Sequence, residues 1–251
     1  MTRREFIAFD LGETLVNFNL KNMWRKSLRN EVIPLMYKQL NTQHKLFHKH
    51  NITLEYFTEL AYKKIAERPQ SKKLDSFSKR VWELLVDIKI LNKESAHDGI
   101  IDSQMDIFYE ITRIKARLYQ DARPVLDELK RDKYTIGLFS DTPWQCPGRY
   151  MDELLEEMDI LDYFDFRLYS GDIEKRKPDP YVFERLSVAA GYGKEDMIYI
   201  GDREVDIMGA HNFGIPSVLI NRTGKTLDES CPPPTYEISD LRELLDILPL
   251  K

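Results

Sequence analysis

Phe6-Ile7-Ala8-Phe9-Asp10-Leu11-Gly12-Glu13-Thr14-Leu15 is the stretch on which the fold turns. Four apolar residues end on an aspartate, and a glycine follows at once. The apolar run reads as a strand, and the glycine as the turn that closes it. An aspartate so placed presents its carboxylate at a strand end.

Working outward, comparable short runs lie at Thr135–Phe139, Phe166–Tyr169, Met197–Ile200 and Ser217–Ile220, rich in β-branched or aromatic residues. Helical patterns separate them, at Ala122–Lys130, Met151–Met158, Pro180–Ala190 and Val205–Asn212. Strands alternating with helices predict βαβ units, and hence an α/β fold with a Rossmann-like parallel sheet. Such sheets bind ligands at the carboxyl ends of their strands. Asp10 ends the first run, Ser140 follows the second, and Asp202 comes just after the run at Met197–Ile200. Cys231 to Pro234 reads as a turn-rich connection to a last helix over Ser239–Leu248.

Residues 17–117 differ in kind. No glycine occurs between Gly12 and Gly99, and only Pro34 and Pro69 interrupt. Phe77, Val81, Leu84, Leu85 and Ile88 recur at three- and four-residue steps, as do Leu54, Phe57, Leu60 and Ala61, which gives each helix one apolar face. This predicts a helical domain over 17–117 inserted into a core formed by 1–16 and 118–251. The insertion holds 19 Lys+Arg against 12 Asp+Glu, a net +7, and the remainder 18 against 30, a net −12. A basic segment beside an acidic one suggests two subdomains with different tasks.

An acidic body argues against nucleic-acid binding, while the basic part could steer a small anion. No apolar run approaches the ~18 residues of a membrane span. The start lacks the pattern of a secretory signal, so the expected location is the cytoplasm. Cys146 and Cys231 stand in no metal-ligand spacing and read as reduced thiols.

Four pieces carry chemistry. Asp10 presents a carboxylate at a strand end, a group that can serve as a covalent nucleophile toward phosphorus. In Phe139-Ser140-Asp141-Thr142 a hydroxyl on a loop after a strand can hold a phosphoryl oxygen. In Lys177-Pro178-Asp179-Pro180 a compact cation suited to phosphate sits in a loop stiffened by proline. In Gly201-Asp202-Arg203-Glu204-Val205-Asp206 two carboxylates four residues apart at a strand-to-helix turn can hold Mg²⁺.

Singly these are weak: a strand-end aspartate is often a helix cap, and a KPDP string can be a plain turn. In this order they resemble the four motifs of the haloacid dehalogenase (HAD) superfamily, over residues 1–16 and about 118–251. The insertion falls where that family places a helical cap. The resemblance implies a HAD fold and hydrolysis of a small phosphorylated metabolite. Asp10 would form an aspartyl-phosphate, Ser140 would hydrogen-bond the transferring group, and Lys177 would balance its charge. Mg²⁺ would be held by Asp10, Asp202 and the Gly12 carbonyl, with Asp206 supporting it directly or through water. The cap would close over the site and select the substrate. The chain is expected to act as a monomer or homodimer, with no nucleic-acid or membrane partner.

The sequence departs from that pattern at Gly12, where phosphatases of the family carry a second aspartate that protonates the leaving group. Losing a general acid/base typically costs about 10²–10⁴ in rate. Three readings stay open: a substrate whose leaving group needs no proton, such as an acyl or anomeric phosphate; a substitute in Glu13 or the cap; or a catalytically weak phosphate- or partner-binding module. The family's dehalogenases also lack that aspartate, but they dispense with the acidic pair kept here as Asp202 and Asp206. Its phosphonatases use a cap lysine as a Schiff base, and the lysine-rich insertion leaves that reading open too.

Asp141 and Trp144 follow the motif serine and are candidate substrate contacts, Trp144 having packing under the cap as its plainer role. Trp24, beside Arg25 and Lys26, is the candidate contact from the insertion. His44, His48 and His50 cluster, but interleaved Lys45 and Lys49 favour a solvated basic patch over a metal site. Arg203 is expected to pair with Asp206 or Glu204.

Overall fold

The structure is a computed structural model that describes residues 5–18, 25–44, 47, 51–66, 77–92 and 99–248. It divides the chain into two compact units, Met1–Asn17 with Arg117–Lys251, and Phe18–Ala116.

The first unit is built on β1 (Phe6–Phe9). It pairs in parallel with β4 (Thr135–Ser140) on one side and β6 (Met197–Gly201) on the other. An inner strand has both faces covered, so all four of its side chains are apolar and fully buried. β5 (Phe166–Tyr169) extends the sheet beyond β4; β7 (Ser217–Ile220) and β8 (Tyr236–Ile238) extend it beyond β6. The order is β5-β4-β1-β6-β7-β8, and every pairing is parallel. The expected sheet is therefore present with one strand more. β8 escapes notice because Tyr236-Glu237-Ile238 is too short to show a period.

Helices α5 (Ala122–Arg131), α6 (Arg149–Glu157), α7 (Tyr181–Ala190) and α8 (Glu204–Phe213) lie where the apolar spacing predicted them, within one or two residues at each end. Val182, Phe183 and Leu186 of α7 pack with Ala210 and Phe213 of α8 against Phe6, Ala8, Phe139 and Tyr199. The expected last helix is shorter and broken: a 3₁₀ turn at Leu241–Glu243 leads into Leu244–Ile247. Asp240 caps that turn by accepting from the Arg242 N–H, so the helix cannot start at Ser239. A two-residue ribbon of β2 (Val16–Asn17) and β3 (Arg117–Leu118) closes the unit where the chain leaves and returns.

The second unit is helical. A π-helical segment at Leu28–Val32 runs into α1 (Ile33–His44), followed by α2 (Leu54–Ala66), α3 (Phe77–Asp87) and α4 (Ile100–Lys115). Phe77, Val81, Leu84, Leu85 and Ile88 are buried as one face. On α2 the buried face is Phe57, Ala61 and Ile65, whereas Leu54, expected on it, is exposed because it opens the helix. Tyr37 stacks on Phe47 with ring centroids 4.6 Å apart, Phe57 meets both at a tilt, and Phe77 stacks on Phe108 at 4.5 Å. Trp24, His48 and His50 lie outside the described residues, as do the side chains of His44 and Trp144.

Candidate active site

The parallel sheet puts the ends of β1, β4 and β6 side by side, and this brings the motif residues together. Asp10 follows β1 directly, its N–H bonded to the Ile200 carbonyl at 2.8 Å. Ser140 is the last residue of β4 and is buried. Asp202 follows β6. Lys177 arrives on the loop before α7, and its Nζ lies 2.5 Å from Asp10 Oδ1 and 2.6 Å from Asp206 Oδ1.

Asp206 sits in the first turn of α8 and folds back over Gly201, where a Cβ would meet its Cγ at 2.4 Å. Only a glycine leaves that space. Asp206 Oδ2 accepts the Arg203 N–H at 2.9 Å, which caps the helix start. Both Asp206 oxygens are thus engaged. Carboxylate oxygens of Asp10, Asp202 and Asp206 lie within 4.8 Å of one another. Asp202 Oδ1 is buried and receives no hydrogen bond among the described residues; the Arg203 Nε approaches it only to 4.0 Å.

The electrostatics follow. Burial pushes the Asp10 carboxyl up to about 6, against the pull of Lys177. Burial, with the charges of Asp10 and Asp206, pushes Asp202 up to about 7. Burial alone would lower the Lys177 ammonium, but Asp10 and Asp206 outweigh it and hold the group well above its ordinary value. A buried carboxylate acceptor without a donor, beside two more carboxylates, is a donor set of the hard oxygen type that suits a divalent cation such as Mg²⁺.

Asp141, the residue after the motif serine, would repel a phosphoryl group there, but its charge is neutralised. Its Oδ1 accepts the Lys177 N–H at 3.2 Å, while Arg203 and Arg176 approach Oδ2 at 3.5 and 3.7 Å. Arg203 therefore reaches Asp141 with its side chain rather than pairing with Glu204, which instead meets Lys225 at 3.2 Å. The loop after β4 is fixed by Thr142, whose N–H donates to Ser170 Oγ and whose hydroxyl donates to the Cys146 carbonyl, both at 2.9 Å. Gly171 lies against that carbonyl, 2.0 Å from where its own Cβ would be.

The turn after Asp10 holds a further surprise. Its left-handed residue is Glu13, with φ 58°. Glu13 Oε2 accepts from the Tyr119 hydroxyl at 2.9 Å. Arg222 lies over the Tyr119 ring at 3.9 Å, forks onto Asp121 and donates to the Thr14 carbonyl. That bond ties one carboxylate oxygen of Glu13 to Tyr119.

Sequence reasoning missed Tyr119, Arg176 and Tyr199. Tyr199 Oη lies 3.1 Å from Lys177 Nζ and donates to the Phe139 carbonyl at 3.0 Å. Its signal was available: a hydroxyl inside Met-Ile-Tyr-Ile, a strand otherwise apolar, must find partners in the core.

A parallel α/β sheet thus gathers an aspartate at the end of its inner strand, a lysine on that aspartate and two further carboxylates beside it. Residues 7–220 match the sequence profile of haloacid dehalogenase-like hydrolases, and the chain belongs to that family. Among curated relatives, (S)-2-haloacid dehalogenase of Pseudomonas sp. (strain YL) is 29% identical over 122 residues, 49% of this chain and 51% of that one. Phosphoglycolate phosphatase of Photorhabdus laumondii is 30% identical over 116 residues, 45% and 47% of the two chains. The chain thus spans about half the length of these relatives. Two solved structures share the fold across 97% of both chains: a HAD phosphatase from Thermococcus onnurineus (TM-score 0.66, 23% identity) and a 2-haloacid dehalogenase from Pseudomonas syringae (0.69, 21%). No described helix is long and apolar enough to cross a membrane.

Proposed function

We propose that this hydrolase is a Mg²⁺-dependent phosphohydrolase for a small phosphorylated metabolite, working through an aspartyl-phosphate. The observation that carries the reading is Asp202: its buried Oδ1 has no hydrogen-bond donor among the described residues and stands beside Asp10 and Asp206. Displacement of halide by a carboxylate needs no cation, and would leave that burial uncompensated. Asp10, Asp202 and the Gly12 carbonyl would hold the cation, with Asp206 contributing charge through its tie to Lys177. Bound there, the cation supplies charge neutralisation of the phosphoryl oxygens.

This chain's residues do the rest. An Asp10 carboxylate oxygen attacks phosphorus, and the bond from phosphorus to the leaving oxygen breaks with its electron pair. Lys177 and Ser140 hold the transferring group, and the lysine balances its charge. Water then attacks the same phosphorus, the Asp10–phosphorus bond breaks, and phosphate leaves with the carboxylate restored. With Gly12 in place of an acid and Glu13 tied to Tyr119, the leaving oxygen departs unprotonated. That favours acyl or anomeric phosphates over alkyl esters.

The test is phosphate release with and without Mg²⁺ over acyl phosphates, sugar phosphates, nucleotides and 2-phosphoglycolate, with halide release from 2-chloropropionate alongside. Magnesium-dependent release, fastest for acyl phosphates and abolished in Asp10→Asn, is expected. Halide release without phosphate release overturns the reading in favour of a dehalogenase.

A further inference from the structure

The Lys177 ammonium lies against three acceptor oxygens: it donates to Asp10 Oδ1 at 2.5 Å and to Tyr199 Oη at 3.1 Å, and it forms an ion pair with Asp206 Oδ1 at 2.6 Å. The lysine side chain is wholly buried. Two acceptors are carboxylates and one is a neutral phenol. The difference matters once the reaction starts. When Asp10 becomes an ester of phosphorus it loses its full charge, and Asp206 would then pull the ammonium towards itself. A neutral acceptor is the one partner whose hold on the lysine stays constant.

Tyr199 is built to be such a partner. Its proton is committed to the Phe139 carbonyl at 3.0 Å, which leaves the oxygen's lone pairs for Lys177. Phe139 is on β4 and Tyr199 on β6, with β1 between them, so the hydrogen bond ties together the two strands that flank the nucleophile's strand. The residue of β1 in register with Tyr199 is Ala8, a small side chain. The tyrosine ring is fully buried, and Phe183 meets it edge-on at 4.9 Å. The rings of Phe139 and Tyr199 stand 5.4 and 5.5 Å from the ammonium.

We propose that Tyr199 is a positioning residue: it holds the Lys177 ammonium in place while the charge on Asp10 is lost and regained. The proposal rests on the phosphohydrolase reading for its consequence in turnover, but the tie itself can be judged apart from activity.

The experiment is a double-substitution cycle with an independent spectroscopic arm. Tyr199→Phe removes the hydroxyl and keeps the ring. It is expected to lower kcat about tenfold with KM changed less than twofold. In a Lys177→Arg background the same substitution should cost less than a further twofold, because its effect runs through the lysine. Equal losses in the two backgrounds would mean that the tyrosine merely supports the core, and would overturn the proposal. In the other arm, ¹H–¹⁵N spectra follow the Lys177 ammonium, assigned by its disappearance in Lys177→Met. Tyr199→Phe should speed its proton exchange at least fivefold; unchanged exchange overturns the tie. If the wild-type chain releases phosphate from no substrate, the phosphohydrolase reading fails while the exchange arm still decides the tie. If Tyr199→Phe does not fold, 3-fluorotyrosine at position 199 weakens the acceptor without removing it. A two- to threefold loss of kcat is then expected, and no loss refutes the proposal.

Discussion

Both units bury charged or polar side chains, and they use them differently. In the helical unit Arg80 is buried on α3 and donates to the Ile65 carbonyl in the last turn of α2 at 2.8 Å. That bond satisfies a helix-end acceptor and ties two helices together. Gln104, fully buried, donates to Gln39 at 2.6 Å. Both contacts tie packed helices to one another. In the α/β unit Asp10, Lys177 and Asp206 are buried as charges on one another, and Asp202 is nearly so. Burying charges costs more than it returns unless something else is gained. The contrast teaches that one buried polar or charged side chain does not by itself mark a site, whereas several carboxylates gathered on one buried cation do.

The comparison is broken or sharpened by four substitutions or conditions. Lys177→Met should have the largest effect. It leaves Asp10 and Asp206 facing each other without a cation, and is expected to abolish turnover and to cost about 3–5 kcal/mol of stability at pH 8. Phosphate release and urea unfolding check this, and a stable, active variant would contradict the electrostatic account.

Next comes pH. Asp10 and Asp202, with carboxyls raised to about 6 and about 7 from the usual 3.8, bind protons more tightly folded than unfolded. Stability of the chelated protein should therefore fall as pH rises from about 4 to about 7, by up to several kcal/mol, and level off above. Added Mg²⁺ should stabilise strongly at pH 8 and little at pH 5, where protons compete for Asp202. Thermal melts with chelator and with metal at the two pH values read this directly.

Gly12→Asp should raise the hydrolysis of simple alkyl phosphates about 10²-fold, by supplying the acid that position lacks. No rise would show that protonation is not what limits those substrates. The smallest effect belongs to the helical unit. Arg80→Met should cost about 1–3 kcal/mol by leaving the Ile65 carbonyl without its donor. Turnover per folded molecule should be unchanged, and a changed kcat would erase the distinction drawn between the two units.

The sequence by itself determined the layered α/β core and the residues gathered at its centre. Inner parallel strands are short, apolar and buried on both faces, and parallel pairing puts their ends together. Asp10, Ser140 and Asp202 were therefore legible as neighbours from the runs that precede them. Lys177 and Asp206 were legible as motif residues, but not as partners in one ion pair. Only the tertiary structure decided the pairings. Asp141 is neutralised by Arg176 and Arg203, Glu13 is engaged by Tyr119, and Lys177 is held by Tyr199. Each joins residues far apart along the chain or on separate loops, and no local pattern encodes such contacts. β8 and the broken last helix were hidden for the opposite reason: both are too short for a period to form, and a cap or a neighbouring strand sets their limits.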